Sequence, residues 1–155
     1  MKKLTILTVF LLTFFMLAGC QTSRSAISAE EFKTKAEAAG YTVQDASSQY
    51  PDGQVDEYWI AVKLSDAIDY QIEFAVVPTA EQAKGAYEQN KADFESKKGN
   101  FTVHSTVSIG NYSYYYLTTS ARFQVISRVD NTFIYIDAEK EYKDEIENFL
   151  QSIGY

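Results

Sequence analysis

From Val103 to Glu139 apolar and polar residues alternate with period two. The alternation is interrupted only at short turn signals: Gly110-Asn111, a turn near Thr119-Ser120, and Asp130-Asn131. Four consecutive strands joined by hairpins leave little choice of architecture, because runs of strands favour an antiparallel sheet over βαβ units. Upstream, Tyr58, Ile60, Val62 and Leu64 share one side of a strand, and Tyr70, Ile72, Phe74 and Val76 share one side of the next, with Ser65 to Asp69 as the loop. A further strand is expected near Tyr41 to Asp45.

Three helices punctuate these strands. Ser28 and Glu31 form a capping box, with Ile27 and Phe32 in the flanking staple positions, so a helix begins at Ala29 and ends at Gly40. A second starts after Pro78, capped by Thr79 with Gln82 at the third position. Its apolar face is Ala83, Tyr87 and Phe94, and Lys97-Lys98-Gly99 closes it. The third runs from about Glu139 to Ser152, where Tyr142, Ile146, Phe149, Leu150 and Ile153 make one stripe. The order α-βββ-α-ββββ-α defines an α+β fold: a single antiparallel sheet of about seven strands with three helices, forming one domain over residues 28–155. Each half is a helix followed by strands, but the residues do not align as a duplication.

If all three turns are two-residue loops, Val107, Tyr114, Val125 and Ile136 form one cross-strand row. Val103, Ile109, Tyr112, Tyr116, Phe123 and Ile134 share that face, which becomes the main core. Helices two and three, with broad aromatic stripes, suit it. The opposite face carries His104, Tyr115, Leu117, Arg122, Gln124, Ile126, Arg128, Phe133 and Tyr135. It is amphipathic, so a helix, a ligand or a partner should cover it. The only arginines are Arg24, Arg122 and Arg128. Tyr115, Arg122, Gln124, Arg128 and Tyr135 are therefore the candidate ligand or partner face: guanidinium forks recognise carboxylate or phosphate and stack on aromatic rings. This holds provided the narrow first helix (Phe32, Ala36, Ala39) leaves the face open. The competing reading pairs both arginines with carboxylates of a covering helix.

At the start of the chain, Lys2 and Lys3 precede an apolar run from Leu4 to Leu17, followed by Ala18-Gly19-Cys20, and Cys20 is the only cysteine. The run is short for a membrane span and has the form of an export signal. Leu17-Ala18-Gly19-Cys20 resembles the lipobox of bacterial lipoproteins. That resemblance implies a signal peptide over residues 1–19, cleavage before Cys20, and lipidation of Cys20 with a diacylglycerol thioether and usually a third acyl chain. It places the domain on the extracytoplasmic side of the cell membrane, held by its lipid anchor through the short tether 20–27. Seven residues from Gln21 to Ile27 reach at most about 25 Å, so the domain stays near the bilayer. The abundance of lysine, glutamate and tyrosine suits a Gram-positive source.

Without Lys2 and Lys3 the basic residues fall from 14 to 12 against 21 acidic ones, and net charge moves from −7 to −9. That balance argues against nucleic acid as a partner. From Gly110 onward, the run Tyr114-Tyr115-Tyr116, a long strand, the Asp130-Asn131 turn, Phe133-Ile134-Tyr135-Ile136 and a closing amphipathic helix resemble the end of PsbP/Mog1-like domains. The resemblance implies an antiparallel sheet between helices. A two-layer arrangement resembling half of a TATA-binding protein also suits Tyr70 to Gly154.

Little in the sequence points to catalysis. His104 is the only histidine, so a histidine metal cluster cannot be built. No G-x-S-x-G, S-x-x-K or glycine-rich phosphate loop occurs. Asp52-Gly53 with Asp56 and Glu57 lacks EF-hand spacing, and Glu139, Glu141, Asp144, Glu145 and Glu147 read as a solvated helix face. No catalytic residue, metal or cofactor is expected. The expectation is a binding or accessory module for an envelope protein or small ligand; the alternative is a hydrolase acting on a cell-envelope component.

Overall fold

The computed structural model describes residues 23–65, 68–99 and 102–155; the leader and Cys20 lie outside the described residues. The element order is α1 (Ala29–Ala38), β1 (Thr42–Asp45), β2 (Glu57–Leu64), β3 (Ile68–Val76), α2 (Ala80–Ser96), β4 (Val103–Ile109), β5 (Tyr112–Thr118), β6 (Arg122–Val129), β7 (Thr132–Glu139) and α3 (Lys143–Ser152). Short 3₁₀ turns at Ser47–Gln49 and Lys140–Tyr142 precede β2 and α3 respectively. The α+β order α-βββ-α-ββββ-α is thus the observed one.

Both N-terminal caps form as the sequence implies. Ser28 Oγ accepts from Glu31 N at 3.1 Å, and Thr79 Oγ1 accepts from Gln82 N at 3.2 Å. Gly40, at φ +83°, takes the left-handed conformation that lets the chain leave α1 and turn into β1. The third helix begins later than expected, at Lys143, because β7 continues to Glu139 and a 3₁₀ turn follows it.

All seven strands form one antiparallel sheet in the order β1-β2-β3-β7-β6-β5-β4. The two hairpins at Gly110-Asn111 and Asp130-Asn131 have the expected register, pairing Val107 with Tyr114 and Val125 with Ile136. The middle hairpin differs. Its turn is centred on Ser120-Ala121, where Thr119 Oγ1 accepts from both Ala121 N and Arg122 N, so Tyr114 pairs with Ser127 and Val125 with Tyr116. Moving the turn by one residue shifts the partner by two, which preserves every side chain's face. The facial assignments therefore stand although the row does not.

The helices divide between the faces differently from the expectation. α1 and α3 cover the main face, where Phe32, Ala36, Ile146, Phe149 and Leu150 meet Ile72, Phe74, Phe123, Val125, Ile134 and Ile136. α2 covers the second face through Ala83, Tyr87 and Phe94, against Tyr115, Leu117, Ile126 and Phe133. The reason is topological. β3 pairs with central β7, while β4, which follows α2, is at the far edge, so α2 must cross β7, β6 and β5 to connect them. With helices on both faces the sheet is the middle of three layers, which departs from the two-layer arrangement.

β4 is one of the two edge strands. It has neither proline nor a charged residue, and its Val103, Val107 and Ile109 are exposed. No helix among the described residues is long and apolar enough to cross a membrane.

Candidate functional site

α2 leans over β5–β7 and leaves part of the second face open toward β2 and β3. The opening is a groove of about 470 Å³. Two cross-strand rows make its floor: Tyr58, Ala75 and Phe133, then Glu73 and Tyr135. One wall is α2, where Gln82, Gly85, Ala86, Gln89 and Asn90 recur at three- and four-residue spacing. Tyr50, Gln54 and Val55, from the segment between the Ser47–Gln49 turn and β2, form the other wall.

Small residues create this volume. A Cβ at Gly85 would meet nothing within 4 Å. Glycine inside a helix costs about 0.5–1 kcal/mol relative to alanine, so α2 gives up stability at a position that faces open space.

The groove is chemically asymmetric. Tyr50 and Tyr58 pack with ring centroids 4.6 Å apart, and Tyr135 packs on Phe94 at 5.3 Å. Among the described residues Glu73 is the only carboxylate in the lining, and neither lysine nor arginine joins it. Glu73 accepts hydrogen bonds from the Tyr58 hydroxyl and, at 2.8 Å, from Gln71 Nε2. Burial, and then the bond to Glu73, push the Tyr58 phenol well above its ordinary value. Burial likewise raises Tyr135, reinforced by Asp137 and Glu73, and Tyr87, reinforced by Glu88, each to about 12. Such a surface suits aromatic stacking and donation to a carboxylate, and it disfavours an anion.

These phenols carry a pH signature. Their folded values lie above the unfolded value of 10.0, so they contribute stability that is complete below pH 10.0 and is lost as pH rises toward about 12. The denaturant midpoint should accordingly fall across that window while ultraviolet absorbance reports delayed phenolate formation. A midpoint that rises there would contradict the assignment.

The five residues expected to form a partner face do not act together. α2 covers Tyr115, which is 0% exposed, and Arg128, which is 8% exposed, so the open face expected there is corrected. Arg128 donates to Asn111 O at 3.3 Å. Arg122 and Gln124 converge on Asp137: Arg122 Nε and Gln124 Nε2 each reach a carboxylate oxygen at 2.9 Å. The carboxylate that pairs with Arg122 thus comes from the neighbouring strand and not from a covering helix. Arg122, Gln124 and Asp137 line a separate depression with Lys97 and Thr102. Tyr135 alone belongs to the aromatic groove.

Sequence reasoning missed Tyr50, Tyr58, Glu73 and Gly85 as site residues. Gly85, isolated within a helical pattern, was the available signal. His104 is exposed on β4, its ring 6.3 Å from that of Tyr115, and it does not line the groove. Among the described residues no group of three or more His, Cys, Asp or Glu is placed to hold a metal ion. Comparisons with protein-family models, curated proteins and solved structures give no match.

Proposed function

We propose that this chain is an extracytoplasmic lipoprotein, anchored to the cell membrane through acylated Cys20, whose domain binds a small ligand or an exposed segment of an envelope protein in the groove beside α2. The observation that carries the binding reading is the groove itself: among the described residues, four aromatic rings and one carboxylate around about 470 Å³, with no basic side chain in the lining. That volume lies within the range of small-molecule sites. The lipobox residues support the anchor, and a sheet between helices is the arrangement that the PsbP/Mog1 resemblance implies.

The chemistry selects neutral or cationic ligands. Sugars offer an apolar ring face to tyrosine and hydroxyl donors to Glu73, while lysine-bearing peptides offer an ammonium to both. Gly85→Leu supplies a sharp test, because its side chain would project into the groove without meeting a neighbouring atom near its Cβ. N-acetylglucosamine oligomers and a lysine-containing tetrapeptide serve as probes, read by nuclear magnetic resonance shifts of groove amides. At least one should shift groove amides in the parent chain. In Gly85→Leu that response should be lost, with the denaturant midpoint preserved or raised. If neither probe shifts the groove, or if Gly85→Leu binds unchanged, the proposal fails.

A further inference from the structure

We infer that the segment Ser23–Ile27 is a clamp that fixes how the domain stands on a lipid bilayer, with the Gly110-Asn111 end of the sheet turned toward the bilayer surface. The inference rests on the reading of Cys20 as the lipidated residue and adds an orientation to it.

The sequence marks residues 21–27 as a polar tether, yet the described part of that segment is docked on the domain. Asn111 holds the backbone of Arg24 from both sides: its Oδ1 accepts from Arg24 N at 3.0 Å, and its Nδ2 donates to Arg24 O at 2.7 Å. The amide thereby imitates a neighbouring β-strand. The guanidinium carbon lies 3.6 Å from the centroid of the Tyr112 ring, and Nη1 donates to Gly154 O at 3.0 Å. Three residues further on, Ile27 is buried in the main core. Arg24 is therefore attached at the turn between β4 and β5 and, through Gly154 O, just past the C-terminal end of α3, while Asp130 N of the β6–β7 turn donates to Asn111 O at 2.9 Å beside it.

Chain length turns this attachment into an orientation. Cys20 precedes Arg24 by four residues, which span at most about 14 Å when fully extended. The bilayer that holds the acyl chains is thus within about 14 Å of the Asn111 turn. The opposite turn, Ser120-Ala121, lies about 20 Å farther out along β5. A free tether beginning at Ile27 would allow either end to approach; a tether released at Arg24 favours one. Ile109, an exposed apolar side chain, adjoins the clamped turn, so the bilayer is the occupant that the anchor itself delivers to this end.

The test uses the full lipidated chain, purified from membranes and reconstituted into phosphatidylcholine vesicles that contain a head-group quencher lipid. Native Cys20 is acylated and unreactive, so a fluorophore can be placed on Ile109→Cys or on Ala121→Cys. Quenching should be several-fold stronger at Ile109→Cys. The paired substitution Arg24→Ala with Asn111→Ala should level the two positions without changing the denaturant midpoint by more than a surface substitution does. Equal quenching at both positions, in protein that floats with the vesicles and carries acyl mass on Cys20, overturns the orientation. A difference that survives the paired substitution overturns the clamp. Protein that neither floats nor carries acyl mass overturns the reading of Cys20, and the orientation falls with it.

Discussion

Replacing Cys20 with alanine should abolish fatty-acid incorporation and remove the acyl mass from the mature N-terminus. Cys20 is the only cysteine in the chain, so no other thiol can take the modification. The effect is expected to be close to all-or-none. Each buried CH₂ of an acyl chain contributes about 0.8 kcal/mol, and a single myristoyl chain alone gives only marginal, reversible membrane binding. Two or three long chains hold far more firmly, and Cys20→Ala removes all of them together. Fatty-acid labelling of cells followed by mass spectrometry of the N-terminal peptide is the measurement. An uncleaved leader could hold the variant at the membrane, so acyl mass and not fractionation is the decisive reading. A parent protein with no acyl group on Cys20 would refute the anchor.

A second large effect is expected in the main core. Phe32 is 0% exposed, stacks on Phe74 at a centroid distance of 4.5 Å, and meets Phe149 edge-on at 6.2 Å. It is the residue through which α1 is attached to the sheet and to α3 at once. Phe32→Ala removes the ring and leaves a cavity that the rigid strands cannot close, so the loss should be about 3–5 kcal/mol. Small domains hold about 5–15 kcal/mol in total, so the variant should unfold at clearly lower denaturant concentration and melt roughly 10 °C or more earlier. A loss below about 1 kcal/mol would mean that α1 is not docked as described. In that case the clamp at Arg24 would lose its foundation too, since Ile27 and Ala29 enter the same core.

Local signals wrote most of the fold legibly. Ser28 and Thr79 announced their helices because a capping hydroxyl acts within three residues, and period-two alternation assigned the faces of β4–β7 because parity survives a register error. The β5–β6 turn shows the limit of such signals. Thr119-Ser120 and Ser120-Ala121 are equally plausible turn centres, and only Thr119 Oγ1 bonding forward to Ala121 and Arg122 selects the second. Which helix covers which face was not legible from stripe width. It depends on β3 pairing with β7, a non-local contact that no window of sequence contains. The site suffered for the same reason. Arg122 and Arg128 drew attention as rare residues, whereas the groove is built from Tyr58, Glu73, Gly85 and Tyr135, which come together only after α2 has crossed the sheet.

The position of β7 bears on how such a chain could be delivered. The strand made last, Thr132–Glu139, lies between β3 and β6 and joins the two halves of the sheet. Until it arrives, β1–β3 and β4–β6 are separate three-stranded pieces, each with an open edge and with no route to the common core. Contacts so distant in sequence form slowly, and here they cannot begin to form before Thr132–Glu139 is available. A polypeptide threaded through an export channel from its N-terminus would therefore stay unfolded throughout its passage. It would close into its native sheet only after its last strand had emerged on the far side.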